Sequence, residues 1–109
     1  MIMERDAVVP LKRVEIVIDE EDFDEIQKIC RSIDIRGYTY LREVGGFGSR
    51  GKRQVEETFL QEKNVLVIFA CTEDQAEKLI KTISTRMKEI GGICLISDCD
   101  WVKGPAVSY

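Results

Sequence analysis

Two stretches of this 109-residue chain repeat one order of apolar periodicity: a two-residue alternation, a helical stripe, then a second alternation. A stretch with neither period separates them, so the chain reads as two strand-helix-strand units joined by a long connection. In the first unit, residues 11–18 are rich in β-branched side chains, with Val14, Ile16 and Ile18 on one side of the alternation. Carboxylates at residues 19–22 mark a helix start, where they cap free amides and complement the helix dipole. Phe23, Ile26, Ile29, Cys30 and Ile33 then recur at helical spacing, Gly37 is expected to stop the helix, and residues 38–44 form the second strand.

The second unit opens with the nearly continuous apolar run of residues 65–71, a third strand. Thr72 with Gln75 three positions on is a capping-box pattern, and Ala76, Leu79, Ile80, Ile83, Met87 and Ile90 trace the helical stripe that follows. Gly91 and Gly92 end that helix, and a fourth strand runs from Ile93 to Ile96 with a continuation toward Val102. With right-handed crossovers the two units interleave into an α+β, ferredoxin-like βαββαβ sandwich: a four-stranded antiparallel sheet with both helices on one face. The third strand is apolar on both faces, since Val65, Val67 and Phe69 oppose Leu66, Ile68 and Ala70. A sheet face that is apolar yet uncovered by helices predicts an oligomer.

At 44% apolar content, 109 residues suffice for one core, so the expectation is a single domain over residues 1–109, with tails at 1–10 and 103–109 and the connection at 45–64. Charges of both signs are interspersed and the net charge is -4, which opposes binding to a nucleic-acid backbone and leaves room for a local anion site. There is no apolar run long enough to span a bilayer and no secretory pattern at the start, so the cytosol is the expected compartment. Cys30, Cys71, Cys94 and Cys99 form no C-x-x-C pair, and histidine is absent, which disfavours structural zinc and removes the usual general base. Cys30 and Cys94 fall within apolar patterns and read as small hydrophobes. Trp101 reads as packing at a junction between subunits.

The connection holds the most informative run, Gly45-Gly46-Phe47-Gly48-Ser49-Arg50-Gly51-Lys52-Arg53. Glycines let successive amides converge on an anion, Ser49 adds a hydroxyl donor, and Arg50 and Arg53 each offer a planar fork to phosphate oxygens. No helix pattern follows and Arg53 stands where a P-loop needs Ser or Thr, so this is not a Walker loop. Connections longer than about 12–15 residues in compact folds tend to be functional, which points to residues 45–64.

Gly37-Tyr38-Thr39, the G-G-x-G-S-R-x-x-R pattern met by Gly45, Gly46, Gly48, Ser49, Arg50 and Arg53, and the final Gly91-Gly92-Ile93 resemble the PII-like signalling proteins, nearest the subgroup associated with bicarbonate transport. The resemblance covers about residues 11–102. It implies a non-enzymatic regulator: a homotrimer with adenine nucleotides in the clefts between subunits, and a membrane transporter or other regulated protein as partner. It further implies that Gly48, Ser49, Arg50 and Arg53 meet the phosphates, that Thr39, Gly46 and Phe47 border the adenosine, and that Gly91 and Gly92 supply backbone from the opposite wall. The basic segment that other PII proteins carry after the second helix is here Glu89-Ile90-Gly91-Gly92-Ile93, and the tail has Lys103 alone. Fewer cations favour AMP, ADP or cyclic AMP over ATP as a regulatory ligand, with no tightly bound cofactor. The segment from Thr39 to Gly45 is one residue longer than the family pattern, which a bulge would absorb.

Two other readings share this topology. RNA-recognition domains stack bases on aromatic side chains of the third strand, which here offers Phe69 alone. Metal-tolerance trimers are the closer rival, with Cys71, Cys94 and Cys99 as the thiols that would gather at a subunit junction. An esterase built on Glu43 or Glu56 with a metal has no constellation beyond those carboxylates.

Overall fold

The computed structural model describes residues 7–46 and 63–103. Four strands and two helices follow the expected order: β1 (Val8–Asp19), a 3-10 turn (Glu20–Asp22), α1 (Phe23–Ser32), β2 (Thr39–Val44), β3 (Asn64–Cys71), α2 (Glu73–Ile90) and β4 (Ile93–Val102). They form one sheet in the order β2-β3-β1-β4 with every neighbouring pair antiparallel. This is the ferredoxin-like α+β arrangement anticipated from the repeat.

β1 starts earlier than its alternation indicated, because the extension pairs with β4 through Pro10 opposite Asp100. Pairing with β3 begins at Lys12, so at Pro10 one side of β1 has no ladder and the missing proline N–H costs little there. Asp19 caps the turn that follows, its side chain accepting a hydrogen bond from the Glu21 amide at 3.1 Å.

The first helix ends sooner than expected. Its last residue is Ser32, and the stop is Asp34 rather than Gly37, with φ at 62° in the left-handed region. The Ile35 amide donates to Cys30 O at 2.8 Å and the Asp34 amide to Arg31 O at 3.2 Å, the bond pair of a Schellman motif. Ile35, now past the helix, turns back into the core. Aspartate tolerates this backbone region better than most side chains, and Arg36 holds its carboxylate at 3.1 Å.

α2 begins as its sequence predicts. Thr72 Oγ1 accepts from the Gln75 amide at 3.1 Å, and Gln75 Oε1 accepts from the Thr72 amide at 2.9 Å. Gln75 Nε2 reaches further, donating to the carbonyls of Ile33 and Asp34 at 3.3 and 3.0 Å, so one side chain caps α2 and satisfies the end of α1. The helices are tied again where Arg86 forks onto Glu25. Gly91, with φ at 74°, closes α2 by donating to Met87 O.

The core lies between sheet and helices. Val14, Ile16 and Ile18 of β1 meet Val65, Val67 and Phe69 of β3 under Ile26, Cys30, Leu79 and Ile83. Ile80, read as part of the α2 stripe, is instead half exposed, so the buried stripe is narrower than the apolar one. On the other sheet face, Leu41, Ile93 and Leu95 are 52%, 52% and 58% exposed. Cross-strand register aligns Leu41, Leu66, Val17 and Ile93 in one row of that face.

Candidate nucleotide site

Of the nine residues singled out from sequence, Thr39, Gly46, Gly91 and Gly92 are described, while Phe47, Gly48, Ser49, Arg50 and Arg53 lie outside the described residues. Thr39 opens the edge strand β2 opposite Ile68 and is exposed. Gly46 follows the end of β2, and a Cβ built there meets no heavy atom within 4 Å. Gly91 and Gly92 precede β4, the other edge of the sheet. Gly92 is packed against β1, since a Cβ there would lie 2.5 Å from Val17 O and 2.8 Å from Ile18 Cγ2.

One chain therefore does not bring these four residues together. Three interstrand gaps separate the edges, about 14 Å at the usual strand spacing. Gly46, Gly91 and Gly92 do share an end of the sheet, whereas Thr39 starts β2 in the row of Ile68 and Glu15: Val44, the last residue of β2, pairs with Asn64, which pairs with Asp19, while Ile93 pairs with Val17. Because each neighbour is antiparallel, β2 and β4 run in opposite directions, which puts the exit of β2 level with the entry to β4.

The root of the loop carries the bulge that residue counting allowed for and an arginine that the sequence reading missed. Between Arg42 and Val44 the register with β3 shifts, and Glu43 sits at φ 59°, a β-bulge built on a non-glycine left-handed residue. The extra residue between Thr39 and Gly45 is absorbed here, which re-aims the chain as it leaves the sheet. Arg42, just before the bulge, ion-pairs with Glu20 at 3.1 Å and lies 5.7 Å from the centroid of the Tyr40 ring. It is an arginine at the mouth of the loop that the glycine-arginine motif did not include. The alternation of β2, which puts Tyr40 and Arg42 on the helix side, was the available signal.

A recess of about 480 Å³ lies at the opposite end of the sheet. Glu73, Asp98 and Asp100 line it with Lys12, which is already paired to Asp98. That charge balance opposes a phosphate, so this recess does not suit a nucleotide.

All four cysteines are free thiols, and among the described residues no three His, Cys, Asp or Glu side chains gather as a metal site. Burial pushes Cys30 and Cys71 up to about 11, with neighbouring thiols adding to the effect, and burial raises Cys94 and Cys99 as well. Protonated thiols are poor metal ligands and poor nucleophiles. A folded thiol titrating near 11, against 9.0 for the unfolded group, favours folding fully below pH 9. That contribution is expected to fade between pH 9 and 11, seen as a falling urea midpoint over that window; Cys30→Ala/Cys71→Ala should flatten the fall, and an unchanged slope would contradict the assignment.

Sheet order, helix placement and a glycine-bounded connection after β2 define a ferredoxin-like α+β protein with an expanded β2–β3 loop. The family model described as nitrogen regulatory protein P-II matches residues 11–104, and the chain belongs to that family. Among solved structures it is similar to CPII, a nitrogen regulatory PII-like protein from Thiomonas intermedia K12 bound to ADP, AMP and bicarbonate. That likeness has a TM-score of 0.78 at 20% identity, over 88% of this chain and 92% of that one. The apo form of CPII from the same organism gives 0.74 at 15% identity, over 89% and 97%. A crystal structure assigned to a PII-like signaling protein from Thermus thermophilus gives 0.70 at 23% identity, over 87% and 92%. No match to the chain was found among curated protein sequences. Among the described residues no helix is long and apolar enough to cross a membrane.

Proposed function

We propose that this chain is a non-enzymatic, cytosolic signalling protein that senses an adenine nucleotide and regulates a partner such as a membrane transporter. It works as a single domain assembled into a homotrimer, and the nucleotide sits in the cleft between copies. The observation that carries this reading is that Gly46 lies at one end of the sheet on one edge and Gly91 and Gly92 at the same end on the other edge. An edge-to-edge approach of β2 in one copy and β4 in the next preserves antiparallel alternation. It brings Thr39, Gly46 and the loop of the first copy toward Gly91 and Gly92 of the second. Gly48, Ser49, Arg50 and Arg53 then hold the phosphates, with Phe47 beside the adenosine. The ADP and AMP bound to the similar CPII structure lend the ligand class support.

The scarcity of basic residues around Gly91 and in the tail favours AMP, ADP or cyclic AMP over ATP. Binding orders residues 45–64, and the state of that segment decides whether the partner docks. Calorimetric titration with AMP, ADP, ATP and cyclic AMP is expected to detect at least one ligand. Arg50→Ala should weaken it roughly 10- to 100-fold, the value of a charge-assisted hydrogen bond to phosphate. Protease cutting within residues 45–64 should slow when that ligand is bound. Silence toward all four nucleotides would defeat the sensor reading, and cutting that ignores a bound ligand would defeat the switch.

A further inference from the structure

The turn between β1 and α1 touches the long connection at both of its ends. The Glu20 amide donates to the Lys63 carbonyl at 2.7 Å, where the chain returns to enter β3. The Glu20 carboxylate takes the Arg42 guanidinium at 3.1 Å, where the chain is about to leave β2. Arg42 pairs with Val65 and Val65 with Ile18, one row on the helix side of the sheet, and Glu20 follows Ile18 by two residues. The ion pair therefore joins β2 to the β1–α1 turn across β3, with Val65 and Ile18 buried in the row between. Tyr40 steadies the guanidinium from within β2, and its own ring packs on Phe23 with centroids 5.0 Å apart.

Both charges are partly exposed, so the pair adds little to global stability. Its place in the chain gives it a different effect. Glu43, the next residue, holds φ at 59°, a conformation that is unfavourable for a side chain with a Cβ and persists only where its surroundings impose it. On one side it is held by the pairing of Val44 with Asn64, and on the other by Arg42. Gly45 and Gly46 follow, and among the described residues no heavy atom would lie within 4 Å of a Cβ at either, so packing does not direct the chain there. Its direction is set one step earlier, at the bulge. We infer that Glu20 and Arg42 are positioning residues of the nucleotide site: their contact holds the Glu43 bulge and so aims the run that begins at Gly45 toward the phosphates. This rests on the nucleotide reading above and adds to it two residues that the glycine-arginine motif does not contain. Arg42 acts through Glu43 and not on the ligand, so each charge of the pair matters only through the other.

The test uses the full chain, the single substitutions Glu20→Gln and Arg42→Gln, and the exchanged pair Glu20→Arg/Arg42→Glu. All three alter side chains only, so the amide bond from residue 20 to Lys63 remains available. Urea midpoints are expected to stay near that of the unaltered chain, and a midpoint that falls in step with binding would assign the pair to folding instead. In titrations with AMP, ADP, ATP and cyclic AMP, each single substitution should weaken the ligand that the unaltered chain binds by about 10-fold, and the exchanged pair should recover to within about 3-fold. Recovery reads the contact between the two side chains, which general damage at the strand end would not restore. An Arg42 that met the phosphates itself would give the reverse pattern. Glu20→Gln would then free it and tighten binding, and the exchanged pair, with a carboxylate at position 42, would bind worst. That pattern, or single variants that bind like the unaltered chain, overturns the positioning role and leaves the sensor reading standing. An unaltered chain silent toward all four nucleotides overturns the sensor reading itself, and the inference with it.

Discussion

Truncating Phe23 to alanine is expected to remove about 3–5 kcal/mol of stability and to release β2 ahead of the rest of the sheet. The ring opens α1 at 7% exposure, edge-on to Tyr38 with centroids 6.4 Å apart and tilted against Tyr40 at 5.0 Å. β2 is a six-residue edge strand whose side chains are mostly exposed, so this aromatic group is its principal apolar anchor to the helix layer. Tyr40 in turn lies beneath Arg42, and Gln27 donates to Tyr38 Oη at 2.7 Å, so removing Phe23 loosens both neighbours. Hydrogen exchange should report the difference: amides of β2 are expected to accelerate more than those of β1 and β3. Equal acceleration in all strands would mean that β2 opens only with global unfolding. Since β2 delivers the chain into the loop, nucleotide affinity should fall along with β2 protection.

How far this fold was legible in advance depends on where the physics is local. The capping box at Thr72 and Gln75 is a contact between residues three apart, and it formed as read. Gly91 is likewise a local stop, because a left-handed residue is needed after Ile90 and glycine adopts it freely. The end of α1 was misplaced because the chain uses Asp34 for the left-handed stop, while the nearby Gly37 lies between α1 and β2 without a positive φ. Asp34 is held there by contacts from outside its own helix, above all Gln75, forty-one residues away. Ile80 failed for a related reason: periodicity gives the phase of a helix but not the width of the groove it fills.

The site was less legible than the fold. The glycine-arginine motif names chemistry without saying which surfaces come together, and Gly46 and Gly92 are set apart by strand order, a non-local property. Counting residues implied a bulge between Thr39 and Gly45 but could not show that Glu43 would occupy it at φ 59°. That position departs from local backbone preference, and such departures concentrate where a chain is being aimed rather than merely packed.

Gly92→Val is expected to be among the most damaging single changes at the candidate site. The first added atom would lie 2.5 Å from Val17 O, 2.8 Å from Ile18 Cγ2 and 3.1 Å from Met87 Cε. Met87 ends in a flexible side chain and can move aside. The Val17 carbonyl cannot do so without shifting β1, whose Val17 and Ile18 pair with Leu66 and Val65 of β3. Alanine alone should cost about 1–3 kcal/mol, the usual range for forcing a methyl group into a packed interior, and valine should reach or exceed the top of it. Gly46→Ala provides the contrast, because open space surrounds that position and stability should change by no more than about 0.5 kcal/mol. Urea midpoints separate the two glycines as structural elements, and nucleotide titration then separates them as site elements. A Gly46→Ala chain with normal stability and weakened binding would locate the nucleotide against the β2 exit. If Gly92→Ala leaves the midpoint unchanged, the close approach of β4 to β1 relaxes readily, and Gly92 is then free to contribute backbone to a ligand rather than being fixed by packing.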